Sequence, residues 1–169
     1  VSDGNHGFCH IDSLLTLAGV GLGKDFVFEL DPRYRTTQGM GETFTPLPRA
    51  HAITDGLLHA AERDASLAVV LTVASSLTVK PDAKVPPTPL LVTSEGSFGM
   101  AKFLEWAKNP SEPQLGEGDT KGPLTVGVAV EHPKVIPDAP HGARMVVVSC
   151  SSAVFGANWQ NNELRGTAL

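Results

Sequence analysis

Leu67-Ala68-Val69-Val70-Leu71-Thr72-Val73 is an almost unbroken aliphatic run, and Met145-Val146-Val147-Val148 is a second one near the far end of the chain. A strand with one wet face alternates apolar and polar residues, whereas a strand covered on both faces reads as a continuous apolar run. Both segments therefore predict strands buried on two sides. Phe26-Val27-Phe28-Glu29-Leu30, closed by Asp31 and Pro32, is a third β-prone run, and Leu90-Leu91-Val92-Thr93 is a fourth. Leu124 to Glu131 alternates in part and reads as a fifth.

Helical spacing appears between these runs. Ile11 to Ala18 places apolar residues at i, i+3 and i+4, and Gly19 supplies a C-terminal stop. Thr54 or Asp55 caps a predicted turn of helix through Leu57, Leu58, Ala60 and Ala61, although Gly56 costs it roughly 1 kcal/mol relative to Ala. Ser97 is placed to cap a helix carrying Phe98, Met100, Ala101, Phe103, Leu104, Trp106 and Ala107, which ends before Asn109-Pro110. A last helical stretch begins near Asn162. Strands alternating with helices predict an α/β layered fold on a mostly parallel sheet. Only the Pro-rich segment 133–140 separates Leu124–Glu131 from Met145–Val148, which predicts one antiparallel edge.

The intervening segments read as loops. Residues 33–49 lack a period and predict a surface excursion pinned by Phe44 and Leu47. Lys80 to Pro89 holds four prolines, and Ser111 to Gly122 is an acidic, Gly-rich link.

A length of 169 residues fits one domain with its own core, and the excess of hydrophobic (41%) over charged (18%) residues places the chain among globular rather than disordered sequences. The net charge of -5, with thirteen scattered Lys and Arg, argues against a nucleic-acid partner. No apolar run approaches the roughly 18 to 20 residues that cross a bilayer, so no direct membrane insertion by this segment is expected. Cys9 and Cys150 lie too far apart for a CxxC motif; a single disulfide or two buried thiols both fit, and buried thiols are the favoured reading.

Leu14 through Val27, Pro48 through Leu57, Leu90 through Ser94, Gly118 through Glu131 and Ala143 through Val148, taken in order, resemble segments of the GldG-type auxiliary proteins of ABC transporters found in bacterial gliding-motility systems. Leu14-Leu15 through Gly19-Val20-Gly21-Leu22-Gly23-Lys24-Asp25-Phe26-Val27 is similar to that family's helix-to-strand segment. Pro48-Arg49-Ala50-His51-Ala52-Ile53-Thr54-Asp55-Gly56-Leu57 resembles its turn, with Ala52 where proline is usual. Leu90-Leu91-Val92-Thr93-Ser94, Gly118-Asp119-Thr120-Lys121-Gly122-Pro123-Leu124 through Glu131, and Ala143-Arg144-Met145-Val146-Val147-Val148 resemble three later segments. The opening strands of the family's domain have no counterpart here, and Ser149-Cys150-Ser151-Ser152 stands where the family often has Gly-Asp-Ser-Asp. The resemblance implies a flavodoxin-like or class I glutamine-amidotransferase-like layer lacking that class's catalytic residues. It further implies an extracytoplasmic, periplasmic location, membrane tethering in a larger protein of which this single domain is a fragment, and transporter or motility subunits as partners.

Candidate chemistry is sparse. Cys150, after an apolar strand and between small residues, has the flanks of a nucleophile elbow and is the alternative catalytic residue of a divergent amidotransferase-like hydrolase. Amidotransferases place their His after the nucleophile, whereas His132 and His141 precede Cys150. Ser94, Glu95 and Ser97, together with Ser149, sit at strand ends where open α/β sheets bind ligands, so a small-ligand or sugar site there is a further alternative. Ser97 as a simple helix cap is the plainer reading. No Gly-rich phosphate loop is present, so the chain is not itself the ATPase. His6 and His10 with Asp12 make a weak metal candidate, and neither a metal nor a cofactor is expected. Phe98, Phe103 and Trp106 are expected to pack in the core rather than to form a partner patch. Trp159, alone among Asn158, Gln160, Asn161 and Asn162, is the candidate interaction residue. A non-catalytic binding or scaffolding domain is the expectation that follows.

Overall fold

The computed structural model describes residues 11–37, 39–63, 69–80 and 82–150. In chain order these form α1 (Ile11–Leu17), β1 (Val20–Leu22), β2 (Phe26–Glu29), β3 (Thr43–Phe44), β4 (Leu47–Pro48), α2 (Asp55–Arg63), β5 (Leu71–Thr72) and β6 (Leu77–Val79). Then come β7 (Thr88–Val92), β8 (Ser97–Met100), α3 (Phe103–Trp106), β9 (Thr120–Lys121), β10 (Thr125–Glu131) and β11 (Arg144–Val148).

The expected parallel α/β layer is not what this sequence builds. Every strand pair among the described residues is antiparallel. The largest sheet has the order β11-β10-β7-β4, a second has β2-β8-β9, and two small ribbons pair β1 with β6 and β3 with β5. This overturns both the flavodoxin-like and the amidotransferase-like architecture. The physical reason lies in what covers the apolar strands. In β10, Val126 and Ala129 enter one apolar cluster with Val27, Phe44, Leu71, Leu90 and Leu91, while Val128 and Val130 enter another with Ala18, Val20 and Leu77. In β2, Val27 joins the first cluster, while Phe26 and Phe28 join a third with Phe98 and Met100. A central antiparallel strand between two cores carries the same unbroken apolar run as a parallel strand between helices. Parallel pairing also needs a crossover of a dozen or more residues, usually helical, and the Pro-rich connections here supply none.

Other expectations are corrected locally. The segment from Ser97 is a strand before it is a helix: Ser97 to Met100 pair with Glu29 to Phe26, and only Phe103–Trp106 is helical, with no side-chain cap. Helical spacing of Phe98, Phe103 and Trp106 was a coincidence of a strand followed by one turn of helix, and all three rings still pack together. Phe103 stacks on Phe26 at 3.9 Å between centroids, and Trp106 meets Phe28 edge-on at 5.1 Å. A one-turn helix is too short to be stable alone, so this aromatic packing is what holds it.

The predicted strand 67–73 is reduced to Leu71–Thr72, paired with Thr43–Phe44; residues 64–68 lie outside the described residues, and Val73 leaves the strand with a φ of 61°. The short strands β1 and β6 fall where no strand is predicted. Helices α1 and α2, the strand at β2 and the β10–β11 hairpin match their expected positions. Phe44 anchors the 33–49 excursion, fully buried. The helix near Asn162 lies outside the described residues. No described helix is long and apolar enough to cross a membrane.

The turn that follows β2 is fixed by an ion pair. Arg33 donates from Nε to Asp31 Oδ1 at 3.0 Å and from Nη2 to Oδ2 at 2.6 Å, and its backbone N–H also reaches Oδ1. These bonds hold the Asp31 carboxyl down at a pKa of about 2, from an ordinary value near 3.8. A depressed carboxylate favours the folded chain above the ordinary carboxylate range, and that contribution is lost as the pH falls toward about 2. In an NMR titration the Asp31 carboxyl carbon is expected to show a midpoint near that depressed value, and Arg33→Ala is expected to return it toward 3.8. A midpoint unchanged by that substitution would show that the guanidinium is not the cause.

Candidate functional site

Ser94 and Ser97, the candidates at the end of β7, are both buried, and their hydroxyls are committed to a network that begins at Glu29. Glu29 lies on β2, fully buried, on the side of the strand opposite Phe28. Its Oε1 accepts from the Ser94 hydroxyl at 2.6 Å and from the Asp31 N–H at 3.0 Å, and its Oε2 accepts from the Ser94 N–H at 2.9 Å. The Ser94 oxygen in turn accepts from the Gly96 N–H at 3.0 Å. Since β2 and β7 belong to different sheets, one carboxylate joins the two.

A second chain of bonds runs beside it. The Leu124 N–H donates to Thr93 Oγ1 at 2.7 Å, the Thr93 and Ser97 hydroxyls lie 2.5 Å apart, and Ser97 donates to the Ser94 carbonyl at 2.8 Å. Because the Ser97 proton goes to that carbonyl, the Thr93 hydroxyl is the donor to Ser97, with the Leu124 carbonyl as a second, longer acceptor at 3.4 Å. The Ser97 carbonyl accepts from Gly122 N–H at 2.9 Å. Asp25 makes a third buried joint, accepting from the Ser76 N–H at 2.8 Å and the Ser76 hydroxyl at 2.7 Å. Each of these groups is satisfied by protein partners, as buried polar groups must be.

The remaining candidates are separated from this knot. Glu95 is exposed in the turn between Ser94 and Gly96. Ser149 is bonded to β10 instead: its N–H and its hydroxyl both reach the Val126 carbonyl, at 3.0 and 3.1 Å. Cys150 is buried among Val27, Phe44, Leu71 and Leu90, with Sγ 3.0 Å from the Thr72 carbonyl. The structure therefore brings Ser94 and Ser97 together and ties Ser149 and Cys150 into the first core.

Cys9, His6, His10 and Trp159 lie outside the described residues, as does the side chain of Asp12. Among the described residues no three His, Cys, Asp or Glu side chains gather in a way that could hold a metal ion. His59 faces Asp55 one helical turn earlier at 3.5 Å, on the exposed side of α2. His141 sits against Arg144, with Nδ1 2.7 Å from Nη2. His132 Nε2 is buried without a hydrogen-bond partner among the described residues.

Glu29 and Asp25 were not singled out by sequence reasoning. The available signal was a carboxylate at the end of the strand Phe26-Val27-Phe28, where both faces are apolar and a charged residue therefore needs buried donors.

Two stability measurements follow from this geometry. Glu29→Gln replaces one acceptor oxygen by an NH2 group facing an N–H or O–H donor, and is expected to cost about 2 to 3 kcal/mol in urea denaturation. A loss under about 0.5 kcal/mol would mean that the joint between the sheets is not made by this carboxylate. His132→Leu removes an unsatisfied nitrogen and is expected to raise stability by about 1 kcal/mol; a decrease would place a partner on Nε2 in solution. No known protein family, curated protein or solved structure matches this chain.

Proposed function

We propose that this chain is a non-catalytic binding or scaffolding domain of an extracytoplasmic, membrane-tethered auxiliary protein of an ABC transporter, of the kind found in gliding motility. Support comes from the ordered run of segments that resemble the GldG-type family, spread from Leu14 to Val148. The layered fold which that resemblance implied lends no support, because the chain is antiparallel.

The observation that carries the non-catalytic half of the reading is the commitment of the reactive side chains to structure. A nucleophile needs an exposed lone pair and a base within about 3 Å, approached by substrate. Cys150 is instead buried in an aliphatic cluster with its sulfur against a backbone carbonyl. The hydroxyls of Ser94 and Ser97 both donate inside a closed network. Exposed apolar side chains on the β10–β11 connection, Val135 at 93% and Ile136 at 68%, suit a chain whose work is done by loop surfaces.

Thiol labelling separates this reading from the hydrolase alternative. In a Cys9→Ser background, maleimide is expected to modify native Cys150 at least about a hundredfold more slowly than the urea-unfolded chain, as a core position opens only through unfolding. Labelling as fast as in the unfolded chain, at neutral pH, would overturn the non-catalytic reading and direct attention to amide substrates. The partner class is tested by photo-crosslinking from position 136 in cells expressing the full-length protein. Adducts with transporter subunits are expected, and recovery of the protein in the cytosol without membrane adducts would overturn it.

A further inference from the structure

A recess of about 450 Å³ opens where the β10–β11 hairpin, the run into β7 and the turn before α2 meet, and it shares no lining residue with the Glu29 network. Its size falls within the range of about 300 to 1,000 Å³ that small-molecule sites occupy. Ala129 and Val146 are cross-strand partners, as are Glu131 and Arg144, so all four side chains share one face of the sheet and line the recess together. Ile53 and Val85 complete the apolar wall. Ile53 and Val146 are left 46% and 50% exposed, a concave aliphatic surface that the described chain does not cover.

The polar groups of the recess are unequal in a way that specifies a ligand. His51 Nδ1 accepts the Ile53 N–H at 3.1 Å, so the neutral imidazole carries its proton on Nε2, which makes no hydrogen bond with another described residue. Arg144 forms an ion pair with Glu131, its Nε 3.1 Å from Oε2, and donates from Nη2 to Glu131 Oε1 at 3.3 Å, with Nη2 also on His141 Nδ1. Its Nη1 makes no hydrogen bond with a described residue. Both Glu131 oxygens face the guanidinium, whereas the recess retains two N–H donors, on His51 and Arg144, without acceptors. Two donors beside an aliphatic wall are the complement of a group with two acceptor oxygens on an apolar body. Because Glu131 already offsets the charge of Arg144, the balance favours one negative charge over two.

We propose that this recess binds a small monocarboxylate with an aliphatic body, the carboxylate taken by Arg144 and His51 and the body lying on Ile53, Ala129 and Val146. The site is independent of the scaffolding reading and of any transporter partner, so its failure would leave that reading as it stands.

The test is an NMR titration of isovalerate into the isotope-labelled chain. Amide shifts are expected to concentrate at residues 51–53, 129–131 and 144–146 and to saturate by about 10 mM. Isovaleramide, which keeps the shape and loses the charge, is expected to bind at least about tenfold more weakly, and Arg144→Gln is expected to weaken isovalerate by a similar factor. Val146→Trp, which fills the recess, is expected to abolish the shifts. No shifts, shifts elsewhere in the chain, or equal binding of the amide would each overturn the proposal. The titration of the native chain decides even if either variant fails to fold.

Discussion

The carboxylate of Glu29, on β2, takes its hydrogen bonds from the end of β7 in the neighbouring sheet, and burying it sets terms that the surrounding residues have to meet. A charged or polar carboxyl without partners costs several kcal/mol inside an apolar core, more than the roughly 1.5 to 3 kcal/mol that burial of a neighbour such as Phe28 returns. Three donors converge on it, and they come from different places: the Ser94 N–H and hydroxyl from the end of β7, and the Asp31 N–H from its own strand's exit. The donors cannot be supplied unless β7 ends beside β2. The relative placement of the two sheets is therefore a condition for satisfying Glu29, and not only a result of apolar packing, which is non-directional.

The same constraint reaches the loop that packs on the other side of β2. The Glu29 N–H donates to the Gly41 carbonyl at 2.9 Å, with Gly41 at a φ of 107°. At that φ an L side chain is strained, and a Cβ there would run into the Glu29 carbonyl oxygen. The 33–49 excursion has little regular structure, yet it is pinned at Gly41 and Phe44 and begins at the Asp31–Arg33 pair. An irregular segment is thereby made part of the body: it covers an edge of β2 that would otherwise present unpaired backbone groups.

What the sequence conveyed and what it concealed divide along one physical line. Local preferences were legible: the stop at Gly19 after α1, the β run closed by Asp31-Pro32, the acidic first turn of α2, and the β10–β11 hairpin across a Pro-rich connection. Strand direction was not, because an apolar run reports that both faces are covered and is silent on what covers them. Val126 and Val128 point into different cores, both built mainly from strands and their connections, with Leu57 of α2 packed against the first. The segment from Ser97 misled for a related reason. Phe98, Phe103 and Trp106 fit a helical stripe, and the pairing of Ser97 to Met100 with β2 depends on residues about seventy positions earlier, which no local window contains.

The candidate sites failed to be legible for a different reason, which is that a serine or cysteine reads alike in the sequence whether it reacts or supports. Ser94 and Ser97 stand out in the sequence as small hydroxyl residues at a strand end, which have to bond something; the question is which partner they take. The answer turned on Glu29, whose own place in the strand looked like an ordinary polar ending. In contrast, Arg144 and His51 look unremarkable along the chain, ninety-three positions apart, and become a pair of donors facing one aliphatic recess only when the hairpin and the turn before α2 are brought together. Apart from His132 Nε2, the buried polar side chains among the described residues are hydrogen-bonded, while the recess keeps donors without acceptors among those residues. Binding chemistry is therefore to be sought at the rim of the β10–β11 hairpin, and the polar knot at the end of β7 is accounted for by the fold it holds.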